Sequence, residues 1–145
     1  MEPQMRKNSR PFAWAVDILR RANLRPTRQR MGLVRLLVEH GNRHVSAEEL
    51  FKEAKTAGIS LSLATVYNTL NQFRDVGIMR EIVTGGGRTF YDTNVKPHGH
   101  IFYEDSGCVE DVSENMIAVQ VLPDFPEHLS VSDIEILVRV RGGSV

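Results

Sequence analysis

The densest chemistry in this chain sits in one stretch, Asp92-Thr93-Asn94-Val95-Lys96-Pro97-His98-Gly99-His100. In extended backbone alternate side chains share a face, so His98 and His100 can aim at one atom while Gly99 leaves room between them. Pro97 excludes a helix here and favours an extended Lys96, which keeps both imidazoles on a strand or its entry. That is a metal-site geometry; the plainer reading of the same residues is a pair of exposed strand histidines. Residues 101–104 and 109–112 read as strands around a turn at Asp105-Ser106-Gly107, and the hairpin sets Asp111 near His100, adding a carboxylate. Cys108 is the single cysteine, so neither an intrachain disulfide nor a cysteine-rich zinc site can form.

The elements that position this stretch divide by charge. The chain of 145 residues is neutral overall, yet residues 1–91 hold 15 Lys+Arg against 8 Asp+Glu and residues 92–145 hold 3 against 10, a split of +7 and −7. The first part suits a polyanion and the second suits cations or self-association. Residues 1–10 are polar and basic without an apolar run, and no stretch of 18 apolar residues occurs, so a cytoplasmic protein without a membrane segment is expected.

Apolar residues Phe12, Val16 and Leu19 recur at helical spacing within residues 11–22, a helix opened by Pro11. Thr27 is the expected N-cap of a second helix to about His40. Ser46 and Glu49 form a capping box for a third to about Ala57. Residues 62–75 place Leu63, Val66, Leu70 and Phe73 on one face and Asn68, Asn71 and Gln72 on the other. Such an amide face suits the major groove, where Asn and Gln can pair bidentately with adenine; an ordinary amphipathic helix is the bland alternative. Tyr67 borders that face within reach of phosphate or a thymine methyl, and Thr65 lies near the helix start.

Two alternating runs, residues 78–83 and 88–92, follow around Thr84-Gly85-Gly86-Gly87 and predict a β-hairpin. Helices and hairpin together make a winged helix-turn-helix, with Arg88 beside the wing tip. Arg25, Arg28 and Arg30 precede or open the second helix as phosphate contacts, Arg25 alternatively as a minor-groove insertion. Ile134, Ile136, Val138 and Val140 alternate as a last strand. Three strands and one short helix bury little alone, so this part is expected to pair with a second copy. The fold class expected is α+β: a winged-helix DNA-binding domain over residues 1–91, a ligand-bearing hinge over 92–100, and a small α/β dimerisation domain over 101–145.

Leu24-Arg25-Pro26-Thr27-Arg28-Gln29-Arg30, His44-Val45-Ser46-Ala47-Glu48-Glu49-Leu50, Ala64-Thr65-Val66-Tyr67-Asn68-Thr69-Leu70 and the His98-Gly99-His100 pair together resemble the ferric uptake regulator (Fur) family. Residues 62–72 and 90–95 are most similar to its iron response regulator (Irr) branch. The resemblance implies a dimeric regulator of iron or haem homeostasis, binding an AT-rich palindromic operator and responding at a site between its two domains. The implied ligands are His44, Asp92, His98, His100 and Asp111. Three imidazoles and two carboxylates suit Fe(II), Mn(II) or Zn(II).

The chain also departs from the family pattern. The usual Cys-x-x-Cys zinc pairs are absent, and Pro97 and Gly99 stand where ligands of a further family site commonly sit. Haem is an alternative occupant suggested by the Irr branch, although Arg10-Pro11 replaces the Cys-Pro of some members. A peroxide-sensing role like that of the PerR members is the alternative regulator, since Asp111 matches their choice of Asp. A metal-dependent hydrolase is the rival class, because His and Asp around a metal can activate water. No nucleophile motif or phosphate-binding loop accompanies the site, so the chain is not expected to be an enzyme.

Overall fold

The computed structural model describes residues 12–113, 115–120 and 123–143. Its first unit, which ends at Val95, contains α1 (Ala13–Arg21), α2 (Arg28–Val38), a two-residue strand β1 (His44–Val45), α3 (Ala47–Thr56), α4 (Leu63–Asp75), β2 (Arg80–Val83) and β3 (Thr89–Asp92). The expected opening of α1 at Pro11 lies outside the described residues. Local hydrogen bonds explain where the other helices begin. Thr27 Oγ1 accepts from the Arg30 amide, Ser46 and Glu49 complete both halves of a capping box, and Ser62 Oγ accepts from the Thr65 amide. Each cap satisfies amide donors that the first helical turn would otherwise strand. Gly58 and Gly77, at φ +73° and +78°, take the left-handed conformation that ends α3 and α4.

Val66, Leu70 and Phe73 of α4 are fully buried against Leu33, Leu37, Leu50 and Tyr91. Their i, i+4, i+7 spacing turns Asn68 and Gln72 to solvent. The sheet order is β1-β3-β2, both pairs antiparallel, so the wing strand β3 is the middle strand. β1 was not foreseen: two residues carry no periodicity, and its pairing partner lies nearly fifty residues downstream. Arg43 secures it, because its amide donates to Thr93 Oγ1 at 2.8 Å and its guanidinium grips both carboxylate oxygens of Glu53 on α3.

The second unit begins at Lys96 and contains β4 (Gly99–Tyr103), β5 (Cys108–Val112) and β6 (Leu137–Val140) in the order β5-β4-β6. β4 and β5 form the expected antiparallel hairpin, and its register places His100 directly opposite Asp111. β6 runs parallel to β4, and since β5 ends at the edge of the sheet where β4 and β6 begin, the crossover from β5 to β6 has only to pass β4. Two expectations change here. The last strand starts at Leu137 rather than Ile134, because Leu137 already pairs with His100 near the start of β4 and Ile134 lies beyond the end of its partner. The short helix is not found among the described residues: positions 115 and 116 form a turn, and the crossover carries Pro123 and Pro126, which interrupt helical hydrogen bonding. Among the described residues no helix is long and apolar enough to cross a membrane.

Removing the Ser46 hydroxyl deprives the Glu49 amide of its partner and breaks the capping box that follows β1. Ser46→Ala should therefore cost about 1 kcal/mol of stability, read as a lower urea midpoint, while Ser46→Asp should retain most of it. An unchanged midpoint for Ser46→Ala would show that the cap contributes nothing.

Candidate metal centre and nucleic-acid interface

In the first unit, β1–β3 pairing sets His44 opposite Asp92. Asp92 is 1% exposed, with His44 Nε2 lying 3.2 Å from Oδ2 and the Asn94 amide donating to Oδ1 at 2.8 Å. An ionised carboxylate removed from water needs such partners, because isolation costs several kcal/mol. The Arg43–Glu53 ion pair beneath the strand holds the Arg43 guanidinium above its ordinary value, the Glu53 hydrogen bond outweighing the cost of burial. Arg43 is a positioning residue that the sequence did not single out.

In the second unit, His98 immediately precedes β4 and His100 lies within it, their ring centroids 4.4 Å apart. His98 Nε2 and His100 Nε2 approach Asp111 Oδ1 at 2.9 and 3.4 Å. The other nitrogen of His98, Nδ1, faces the Lys96 carbonyl. A carbonyl only accepts, so Nδ1 must carry the proton and a neutral His98 presents a bare lone pair at Nε2. That lone pair would then confront a carboxylate oxygen at 2.9 Å. Two acceptors this close require a proton or a cation between them, and an imidazole with its second nitrogen tied to a carbonyl is the arrangement metal-ligating histidines adopt. The donor set of this half therefore fits a divalent ion. Beside it lies a cavity of about 290 Å³, lined by Pro97, His98, Gly99, Val112, Ile134 and Ile136 among others.

The expected nucleic-acid contacts fall into two groups. Arg25, Arg28, Asn68 and Arg88 are exposed, and Thr65 is half-buried with its hydroxyl 2.9 Å from that of the capping Ser62. The remaining candidates have partners within the unit. Arg30 donates to the Arg25 carbonyl at 2.9 Å and to Gln72 Oε1 at 3.0 Å. Asn71 Oδ1 accepts from the buried Tyr91 hydroxyl at 2.8 Å and faces Arg74 Nη1 at 3.4 Å. Tyr67 donates its hydroxyl to Glu48 of α3. Arg74 in turn pairs with Glu81 on β2, so α4 is tied to both α2 and the wing sheet. Glu48 and Tyr91 were not among the expected site residues, since their partners become visible only once α3, α4 and β3 pack.

Comparison with known proteins agrees with this architecture. The family model described as the Ferric uptake regulator family matches residues 21–140. A ferric uptake regulation protein of Shigella flexneri is 41% identical over 100 residues, covering 68% of each chain. A peroxide-responsive repressor, PerR, of Staphylococcus aureus is 34% identical over 97 residues, covering 67% of this chain and 65% of that one. The structure of the ferric uptake regulator of Pseudomonas aeruginosa with manganese superposes with a TM-score of 0.70 at 26% identity, covering 90% of this chain and 98% of that one.

The Tyr67–Glu48 contact has a pH signature. The hydroxyl donated by Tyr67 holds the Glu48 carboxyl below its ordinary value, and the same bond raises the Tyr67 hydroxyl. A carboxyl depressed in the folded state contributes stability that is present above its unfolded value, near 4.5, and is lost as pH falls through the folded value. Tyr67→Phe should thus cost about 1 kcal/mol or less at neutral pH, as suits an exposed pair. Urea melts should show the gap from the parent closing below roughly pH 4; a gap independent of pH would assign the loss to packing instead.

Proposed function

Because this chain belongs to the ferric uptake regulator family, we propose that it is a dimeric, metal-responsive regulator of transcription that reads duplex DNA with α4 and the β2–β3 wing. The observation that carries the metal reading is His98, whose Nδ1 is committed to the Lys96 carbonyl while Nε2 meets Asp111. His44 and Asp92 form a second imidazole–carboxylate pair with the same chemistry. We assign both pairs, with His100, to one divalent ion. Three imidazoles with two carboxylates suit Fe(II), Mn(II) or Zn(II). When bound, the ion supplies two positive charges that offset the carboxylates of Asp92 and Asp111.

The chain's own residues do the rest. Six positions separate Asp92 from His98, so their backbones stay within about 20 Å of one another whatever the link does. Ligands drawn from both sides of so short a link would restrict how the units move. Two copies joined through the second unit would then present two α4 helices at a fixed spacing, which matches a palindromic operator. The basic first unit supplies the phosphate contacts, with Arg25, Arg28 and Arg88 exposed for that role. Family membership makes the protein a regulator rather than an enzyme, which ends the hydrolase reading. The finer assignment to an Irr-like haem response is a second reading, in which the aliphatic-lined cavity beside His98, at about 290 Å³, would shelter only an edge of the ring.

The test is duplex binding with and without Mn(II), by the parent chain and by the His98→Ala/His100→Ala double variant. Affinity of the parent should shift at least about tenfold on adding the ion, a coupling of 1.4 kcal/mol. The double variant should ignore the ion yet keep its steep salt dependence, a log–log slope of roughly −5 to −9 for about 6–10 phosphate contacts. A double variant that still responds would remove these histidines from the sensory site. A parent whose affinity is insensitive to salt would contradict the DNA reading.

A further inference from the structure

The three side-chain amides of α4 differ in what they can still offer a base. Gln72 Oε1 accepts from Arg30 Nη2 at 3.0 Å. A guanidinium has no acceptor, so the atom facing it must be the amide oxygen. Asn71 is held the same way: its Oδ1 lies toward the donor-only Arg74 and the Tyr91 hydroxyl. Both oxygens are therefore engaged within the first unit, Asn71 Oδ1 by two donors and Gln72 Oε1 by one, which turns the N–H groups of both amides outward. Asn68 is exposed, and its amide makes no hydrogen bond among the described residues.

We infer that Asn68 is the α4 amide that distinguishes adenine, while Asn71 and Gln72, their oxygens already engaged, serve as hydrogen-bond donors. The inference rests on the reading of α4 as the groove helix and deepens it. Bidentate recognition of adenine needs an amide oxygen for the N6 amine and an amide N–H for N7 in one plane. Asn68 retains both. An amide that offers only its N–H donates to N7 of adenine or guanine, to O6 of guanine or to O4 of thymine alike, so it fixes register without choosing among them. The expectation that all three amides pair with adenine is thereby narrowed to one, and Arg30 and Tyr91 become positioning residues for specificity although neither needs to touch a base.

The experiment uses the full-length chain, in whichever of its Mn(II)-loaded or metal-free forms binds more tightly. Selection from randomised duplexes yields a binding site, in which adenines are replaced singly by purine, a base that keeps N7 and lacks the N6 amine. The parent should lose on the order of tenfold to a hundredfold in affinity at one adenine in each half-site. In Asn68→Ala no adenine should remain sensitive. In Arg30→Met, which frees the Gln72 oxygen, a second adenine-sensitive position should become available, a gain that simple destabilisation cannot produce. Sensitivity that persists in Asn68→Ala and disappears in Asn71→Ala or Gln72→Ala would overturn the inference, as would a parent with no sensitive adenine. Failure of the parent to enrich any sequence would instead refute the DNA reading on which it rests.

Discussion

A carboxylate buried to 1% exposure is the constraint around which the first unit is arranged. Ionised and alone, Asp92 would cost several kcal/mol. The chain answers with the Asn94 amide on one oxygen and the His44 imidazole near the other. His44 can be there only because the segment between α2 and α3 runs beside β3 for two residues, and that short strand is held in turn by the Arg43 bonds to Thr93 and Glu53. The acidic group at the end of the wing strand thus meets an imidazole from the loop ahead of α3.

The same strand reaches α4, the proposed groove helix. Tyr91, adjacent to Asp92 on β3, fills the core and sends its hydroxyl to Asn71, while burial raises that hydroxyl above its ordinary value. Arg30 from α2 and the Arg74–Glu81 pair across to β2 hold α4 at two further points. A helix fixed at several points and packed by Val66, Leu70 and Phe73 presents its outer side chains in one arrangement, the rigidity that specific binding sites need. The strands that hold His44 and Asp92 and the helix proposed to read DNA are therefore neighbours in one packed unit.

Features encoded over a few residues could be read from sequence: the caps at Thr27 and Ser46, the glycine-linked wing, and the turn that brings Asp111 near His100. Features that depend on distant partners could not. β1 has no pattern of its own and exists through β3. The length of β6 is limited by β4, so the apolar alternation from Ile134 overstated it. The orientation of the Asn71 and Gln72 amides depends on Tyr91 and Arg30, which lie 20 and 42 positions away in the chain. The metal-type residues were legible as types and spacing, and His44 became meaningful through family resemblance rather than any local signal.

The proposal that one ion draws ligands from both sides of the 92–98 link is tested most directly by X-ray absorption at the zinc edge of Zn(II)-loaded protein, parent and His44→Ala. A shared ion predicts imidazole scattering from about three histidines together with carboxylate oxygen, falling by about one imidazole in the variant. Imidazole scattering that is the same in both proteins would leave the ion to His98, His100 and Asp111 alone and contradict the claim.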